Sequence, residues 1–145
     1  MPNFAPLRLT LFIGFACLLL GCSETRKGDK AEVFGMVTLD GTPVADAQIR
    51  FMPKSNTDLG TAFCRTNAQG EFIIKPDANN NNWLKPGKYI VLISKIAPLE
   101  AKVMGTPEVN LLPTQYSLQA KTPLTAELQN GENKLPPFEL VKNKK

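Results

Sequence analysis

The sequence predicts an all-β domain, a sandwich of about seven short strands. Three observations carry that expectation. Short runs alternate apolar and polar residues with period two, as half-buried strands do. Turn chemistry separates them at close spacing, as in Asp40-Gly41, Asn67-Ala68-Gln69-Gly70 and Pro86-Gly87. The 145 residues include 12 Pro and 10 Gly, and no amphipathic helix of useful length occurs. A chain of this size supports one domain.

Glu32 to Leu39 is the first strand, with Val33, Val37 and Leu39 on one face and Phe34 and Met36 on the other. Asp40-Gly41 is a turn dipeptide, extended by Thr42-Pro43. Ala47, Ile49 and Phe51 alternate with Gln48, Arg50 and Met52, and Pro53 ends that strand. A polar loop from Lys54 to Gly60 leads to a strand-like run, Thr61 to Thr66. Glu71 to Lys75 follows, with Phe72 and Ile74 on one face. An Asn-rich loop separates it from Lys88 to Lys95, where Tyr89, Val91 and Ile93 oppose Ile90 and Leu92. Apolar residues on both faces predict a central strand. Ile96 to Gln119 is long for a connection and contains Pro98, Pro107 and Pro113, so it is either functional or packed along a sheet edge. Leu124, Ala126 and Leu128 alternate in a sixth strand. Asn130-Gly131-Glu132-Asn133 reads as a hairpin turn into a last strand with Phe138 and Leu140, whose start is an edge because of Pro136 and Pro137.

The first residues follow a different logic. Leu7 to Leu20 is apolar except for Arg8, Thr10 and Gly14. A spanning helix needs about 20 apolar residues, so this run fits a signal-peptide core better. It ends in Leu19-Leu20-Gly21-Cys22. That sequence resembles the lipobox of bacterial lipoproteins, in which the Cys is acylated and the chain is cut just before it. The resemblance implies a leader over 1–21, a lipidated Cys22 with a short tether over 22–31, a sandwich over 32–141 and a basic tail over 142–145. It also implies a lipid-anchored protein of the bacterial cell envelope. Ser23 is not an acidic retention signal, which points to the outer membrane, facing the periplasm. The membrane, reached through the N-terminal lipid, is then the first expected partner, and several acyl chains hold a protein there without a transmembrane helix.

The formal net charge is +4, and cleavage before Cys22 removes only Arg8 from the charged side chains. The remaining basic excess is mild and lacks the dense, aromatic-interleaved cluster of a nucleic-acid surface, so no nucleic-acid partner is expected. Of three cysteines, Cys17 falls in the leader and Cys22 at the lipobox. Cys64 is left alone, with no intrachain disulfide available to the domain. Its strand-like surroundings favour a buried small hydrophobe over a nucleophile.

Motifs across the domain carry a second resemblance. Gly35-Met36-Val37-Thr38-Leu39-Asp40-Gly41-Thr42-Pro43-Val44-Ala45-Asp46-Ala47 is similar to the G-x-V-x-x-D-G-x-P-x-x-x-A opening of carboxypeptidase regulatory-like domains. Thr66-Asn67-Ala68-Gln69-Gly70-Glu71-Phe72 resembles their T-[DN]-x-x-G-x-F turn and strand. Leu84-Lys85-Pro86-Gly87-Lys88-Tyr89-Ile90-Val91 resembles their L-x-P-G-x-Y-x-V strand. Leu111 to Tyr116, Thr122 to Glu127 and Gly131 to Asn133 resemble a subgroup of small bacterial lipoproteins with this domain. The resemblance implies a transthyretin-like (prealbumin-like) sandwich. It says little about function, because the shared positions are turn glycines, core residues and strand ends.

The chain contains no His. That removes Ser-His-Asp and Cys-His catalysis and makes the usual zinc sites implausible. It also separates the chain from transthyretin-related hydrolases and from intradiol dioxygenases of similar topology, both of which use His. No phosphate-cradling or dinucleotide motif occurs, so no cofactor, catalytic residue or metal is expected. The acids lie mostly in turns or at strand ends, where capping and solvation explain them. The expected role is therefore a non-catalytic binding or structural module contacting another envelope protein. One alternative is a carbohydrate site in the Asn-rich loop, with Trp83 stacking on a sugar beside Asn80, Asn82 and Asp77. The competing reading of Trp83 is a plug folded over the end of the sandwich. A small-molecule carrier with a closed apolar pocket, or a degenerate enzyme fold, is a further alternative.

Overall fold

A computed structural model describes residues 30–55, 57–76, 83–97 and 109–142. The leader, Cys22 and most of the tether, Asp77, Asn80, Asn82 and the last three residues of the basic tail lie outside them.

The described chain is an all-β sandwich of nine strands in two sheets. The strands are β1 (Ala31–Leu39), β2 (Thr42–Pro43), β3 (Gln48–Pro53), β4 (Ala62–Arg65), β5 (Glu71–Ile74), β6 (Gly87–Ser94), β7 (Thr125–Leu128), β8 (Gly131–Lys134) and β9 (Phe138–Leu140). One sheet has the order β4-β3-β6-β7, all antiparallel. β6 is an inner strand there, as its two apolar faces predict. Tyr89, Val91 and Ile93 are fully buried, while Ile90 and Leu92 are half-buried.

β1 organises the other sheet. On one side it pairs antiparallel with β5 and, past its middle, with β2. On the other side it pairs in parallel with β8 along its first half and β9 along its second. Ala31, expected in the tether, is the first residue of β1 and is fully buried. The Asp40-Gly41 turn forms as predicted, with φ of 49° and 79°, the left-handed values that a tight two-residue hairpin requires.

The strand count exceeds seven because the last segment is built differently from the expectation. Asn130 to Asn133 is not a hairpin turn joining two neighbours. Gly131 to Lys134 is a strand, and β7 and β8 belong to different sheets. The chain crosses the sandwich at Gln129-Asn130 and then runs along β1. Pro136 and Pro137 interrupt that run, because neither has an N–H to give the ladder. Leu135 N–H still reaches Phe34 O at 2.8 Å, so β8 and β9 behave as one broken strand.

The two sheets close over Phe51, Phe72, Phe138 and Tyr89. Phe72 and Phe138 stack with centroids 6.0 Å apart and planes 7° off parallel. Phe51 lies 6.2 Å from both Phe72 and Tyr89. Val33, Val37, Ile49, Ile74, Val91, Ile93, Leu128 and Leu140 complete the core. Each contributes on the order of 1.5–3 kcal/mol relative to exposure.

Three buried polar side chains fasten the sandwich. Thr66 Oγ1 donates to Val44 O at 2.7 Å and accepts Ala47 N–H at 2.8 Å, tying the loop before β3 to the turn before β5. The Tyr89 hydroxyl proton lies between Leu59 O (2.6 Å) and Lys85 O (2.8 Å), and its oxygen accepts Lys85 N–H at 3.1 Å. Asn133 clamps the sheet-to-sheet crossing. Its Oδ1 accepts Gln129 N–H at 2.7 Å, and its Nδ2 reaches Gln129 O, Gly131 O and Glu32 O at 2.9, 3.0 and 3.2 Å.

Candidate binding groove

Of the residues that the sequence singles out as a loop site, only Trp83 is described. It is half-buried. The Cε3 and Cζ3 edge of its ring lies against Gly60, where an added Cβ would sit 2.9 Å away, and the Lys85 ammonium is over the ring, 5.4 Å from its centroid. The indole therefore packs on the end of the sandwich, with a cation over one ring face.

Tyr116 is buried, and its hydroxyl accepts Val141 N–H at 3.0 Å. It fastens the strand end after β9 to the 3-10 turn Thr114–Ser117. Cys64 packs against the core, and burial pushes its thiol up to about 12. At neutral pH it is held as the unreactive thiol. Among the described residues no group of three or more Cys, Asp or Glu is placed to hold a metal ion.

A stability consequence follows. Burial also raises the Tyr89 phenol, partly offset by its hydrogen bond from the Lys85 backbone. For both groups the unfolded chain loses its proton first as pH rises, while the folded domain still holds it. Stability from these two groups is thus complete below their unfolded values and falls as pH climbs from about 9 toward 12. The urea midpoint should drop between about pH 8 and about pH 10.5, and Cys64→Ala should flatten that slope. An equal slope in the variant would show that Cys64 titrates normally.

The feature with binding geometry lies elsewhere, on the outer face of the β1 sheet. Strand alternation sends Val33, Val37, Phe72 and Ile74 inward. It sends Phe34, Met36 and Ile73 outward. Together with Leu135 they floor an open groove of about 600 Å³. Ile73 is 54% exposed, unusual for an aliphatic residue in mid-strand. The Lys75 ammonium stands 5.7 Å from the Phe34 ring centroid. Arg65, Asn67, Glu71 and Lys134 form the polar rim. All four are engaged: Arg65 with Asp46 at 2.9 Å, Lys134 with Glu132 at 3.2 Å, and Asn67 Nδ2 donating to Glu71 Oε2 at 3.0 Å.

One side of the groove is a sheet edge. Among the described residues no strand pairs with β5 on the side away from β1. Val37 N–H bonds Gly70 O, which makes the Val37/Gly70, Gly35/Phe72 and Val33/Ile74 pairs the hydrogen-bonded ones. Glu71 and Ile73 therefore direct their backbone groups outward. The Asn67 turn closes those of Glu71: Asn67 Oδ1 accepts Glu71 N–H at 2.9 Å, and Asn67 N–H reaches Glu71 O at 2.8 Å. Ile73 is left as the edge residue with both an exposed side chain and outward backbone groups.

The groove was partly readable beforehand. Phe34 and Met36 fall on the outer face by alternation, and Ile73 is an apolar residue between two inward ones. Nothing in the sequence indicated that Leu135 joins them. A second, smaller hollow of about 440 Å³ lies at the other end of β1, between Leu39, Pro43, Leu111 and Leu112.

Comparison with known protein families gives no match, and comparison with curated proteins gives none. Among solved structures the chain is similar to 3-chlorocatechol 1,2-dioxygenase from Rhodococcus opacus 1CP, at 17% identity and a TM-score of 0.28. The alignment covers 82% of this chain and 59% of that one. A similarity at that TM-score carries no argument about fold or activity.

Proposed function

We propose that this protein is a non-catalytic binding module, anchored to the bacterial cell envelope by a lipid on Cys22, that contacts another protein. The observation that carries the reading is the apolar groove beside the open β5 edge. Protein-binding surfaces combine a desolvatable apolar floor with a polar rim, and an open edge can add backbone hydrogen bonds from an extended partner segment. The resemblance to carboxypeptidase regulatory-like domains fits a scaffold of this kind. The absence of His supports a non-catalytic role, because the usual general base for acyl transfer is missing.

The carbohydrate alternative gains no support at Trp83. A sugar stacking on the face that Lys85 covers would have to displace that ammonium.

A photo-crosslinking residue placed at Ile73 of the full chain tests the groove in cells. A discrete protein adduct is expected, absent when Met36→Glu puts a charge in the groove floor. A reporter at Thr125, exposed on the other sheet, should give no such adduct. The reading fails if Ile73 gives no adduct, or if Met36→Glu leaves the adduct unchanged.

A further inference from the structure

We propose that the end of the sandwich at which β1 begins is a docking surface for an anionic phospholipid bilayer. The proposal rests on the lipid-anchor reading of Cys22 and adds an orientation and a lipid chemistry to it.

The first argument is where the tether enters the fold. Ala31 N–H bonds Leu84 O at 2.8 Å, and Gly131 N–H bonds Lys30 O at 3.1 Å. The start of β1 is thereby fixed between Leu84 and Gly131. Nine Cα-to-Cα steps separate Ala31 from Cys22, a reach of no more than about 32 Å. β1 itself is nine residues long, about 30 Å, and runs away from that point to Asp40. An anchor at Cys22 therefore keeps this end near the bilayer and allows the Asp40 end to stand well away from it.

The second argument is charge. Lys30 leads into β1. Lys75 follows Ile74, which pairs with Val33. Lys54 N–H bonds Lys88 O, which places both lysines with Lys85 at the same end. Glu32, Asp58, Glu127 and Glu132 lie here too, but Glu127 is 4.0 Å from Lys88 and Glu132 is 3.2 Å from Lys134. Lys30, Lys54, Lys75 and Lys85 have no carboxylate within ion-pair distance among the described residues. At the opposite end Asp46 pairs with Arg65, and Asp40 and Glu139 share that end with Lys95, Lys121 and Lys142, so both signs of charge are mixed there. Lys30, Lys54, Lys75 and Lys85, without a carboxylate partner among the described residues, lie at the end that the tether leaves. Lysines at an anionic leaflet are attracted over a Debye length, so both arguments favour one orientation.

The third argument is Trp83. It is half-buried at this same end, next to Leu84 and under the Lys85 ammonium. An indole with an adjacent lysine is the residue pair that settles at a headgroup interface, ring toward the acyl chains and charge toward phosphate. With this end down, the groove over Phe34, Met36 and Ile73 opens sideways, clear of the lipid and available to a partner.

The test uses the acylated full chain in vesicles of phosphatidylglycerol or phosphatidylcholine whose acyl chains carry bromine. Trp83 is the only Trp, so its emission reports one position. Quenching is expected in phosphatidylglycerol vesicles. Lys30→Gln, Lys54→Gln and Lys85→Gln should each weaken the docked state about five-fold at low salt. A distal reporter, Thr42→Trp in a Trp83→Phe background, should be unquenched. Equal quenching at both positions, or quenching at neither with Cys22 acylated by mass, overturns the docking surface and leaves the lipid anchor standing. An unmodified Cys22 overturns the anchor, and the docking surface with it.

Discussion

Asn133→Asp should be among the most destabilising single-atom changes in this domain, lowering stability by about 3 kcal/mol or more. The side chain is 8% exposed and makes four hydrogen bonds. Its Nδ2 is aimed at three carbonyl oxygens, those of Glu32, Gln129 and Gly131. Replacing that donor, whose two hydrogens serve the three oxygens, with a carboxylate oxygen turns these attractions into repulsions in a site largely closed to solvent. The effect has a pH signature. The three carbonyls raise the folded-state value of the new carboxyl above its unfolded value, because they disfavour the charged form. The variant is therefore least impaired below about pH 4, where a protonated oxygen can still donate once, and loses stability as pH rises. Urea midpoints of both proteins at about pH 4 and about pH 7 check this. A pH-independent difference would show that the site admits water and that the crossing from β7 to β8 is held by other contacts.

Gly35→Ala is the second large effect, at about 1–3 kcal/mol. Gly35 is not in the left-handed region, so the cost is steric and not conformational. A Cβ there would lie 2.6 Å from Cζ and 2.7 Å from Cε1 of Phe72, whose ring crosses over it on the inner face of the sheet. That ring cannot move aside freely, because it stacks on Phe138 and touches Phe51. The clash can be checked by a double-mutant cycle. Phe72→Leu alone leaves a cavity, but it removes the atoms that Gly35→Ala strikes. The double variant should lose less than the sum of the two single losses. Simple additivity would refute the contact. Gly35 also lies between Phe34 and Met36, so this packing sets the spacing of the groove floor on the outer face.

Much of the architecture was readable locally. Alternation groups Val33 with Val37 and Leu39, Phe72 with Ile74, and Tyr89 with Val91 and Ile93; each group faces inward, and all but the half-buried Leu39 are buried. Turn chemistry located the bends at Asp40-Gly41 and at Asn67 to Gly70. At the second of these only a glycine serves: Gly70 has φ of 76°, and a Cβ would lie 2.8 Å from Val37 O. The candidate site was less readable. Trp83 is a lone aromatic beside an Asn-rich loop, yet its edge rests on Gly60 and Lys85 stands over its ring. The groove gave only half a signal, since Phe34 and Ile73 could each have been ordinary surface residues taken singly.

Local sequence carries the fold class, the alternation of most strands, the lack of histidine chemistry and the resemblance to a lipobox on which the proposed envelope anchoring rests. Each is a local property: a period, a turn residue, a composition. Tertiary structure alone decided which strand lies beside which. Asn130-Gly131 has the composition of a hairpin turn, and nothing local distinguishes it from a crossing between sheets. What makes it a crossing is the Asn133 side chain reaching Glu32, 101 residues earlier, and the parallel pairing of β8 and β9 with β1. Alternation says which way a side chain points but not what its strand will meet. That depends on long-range pairings, whose free energy belongs to the closed sandwich and to no segment of it.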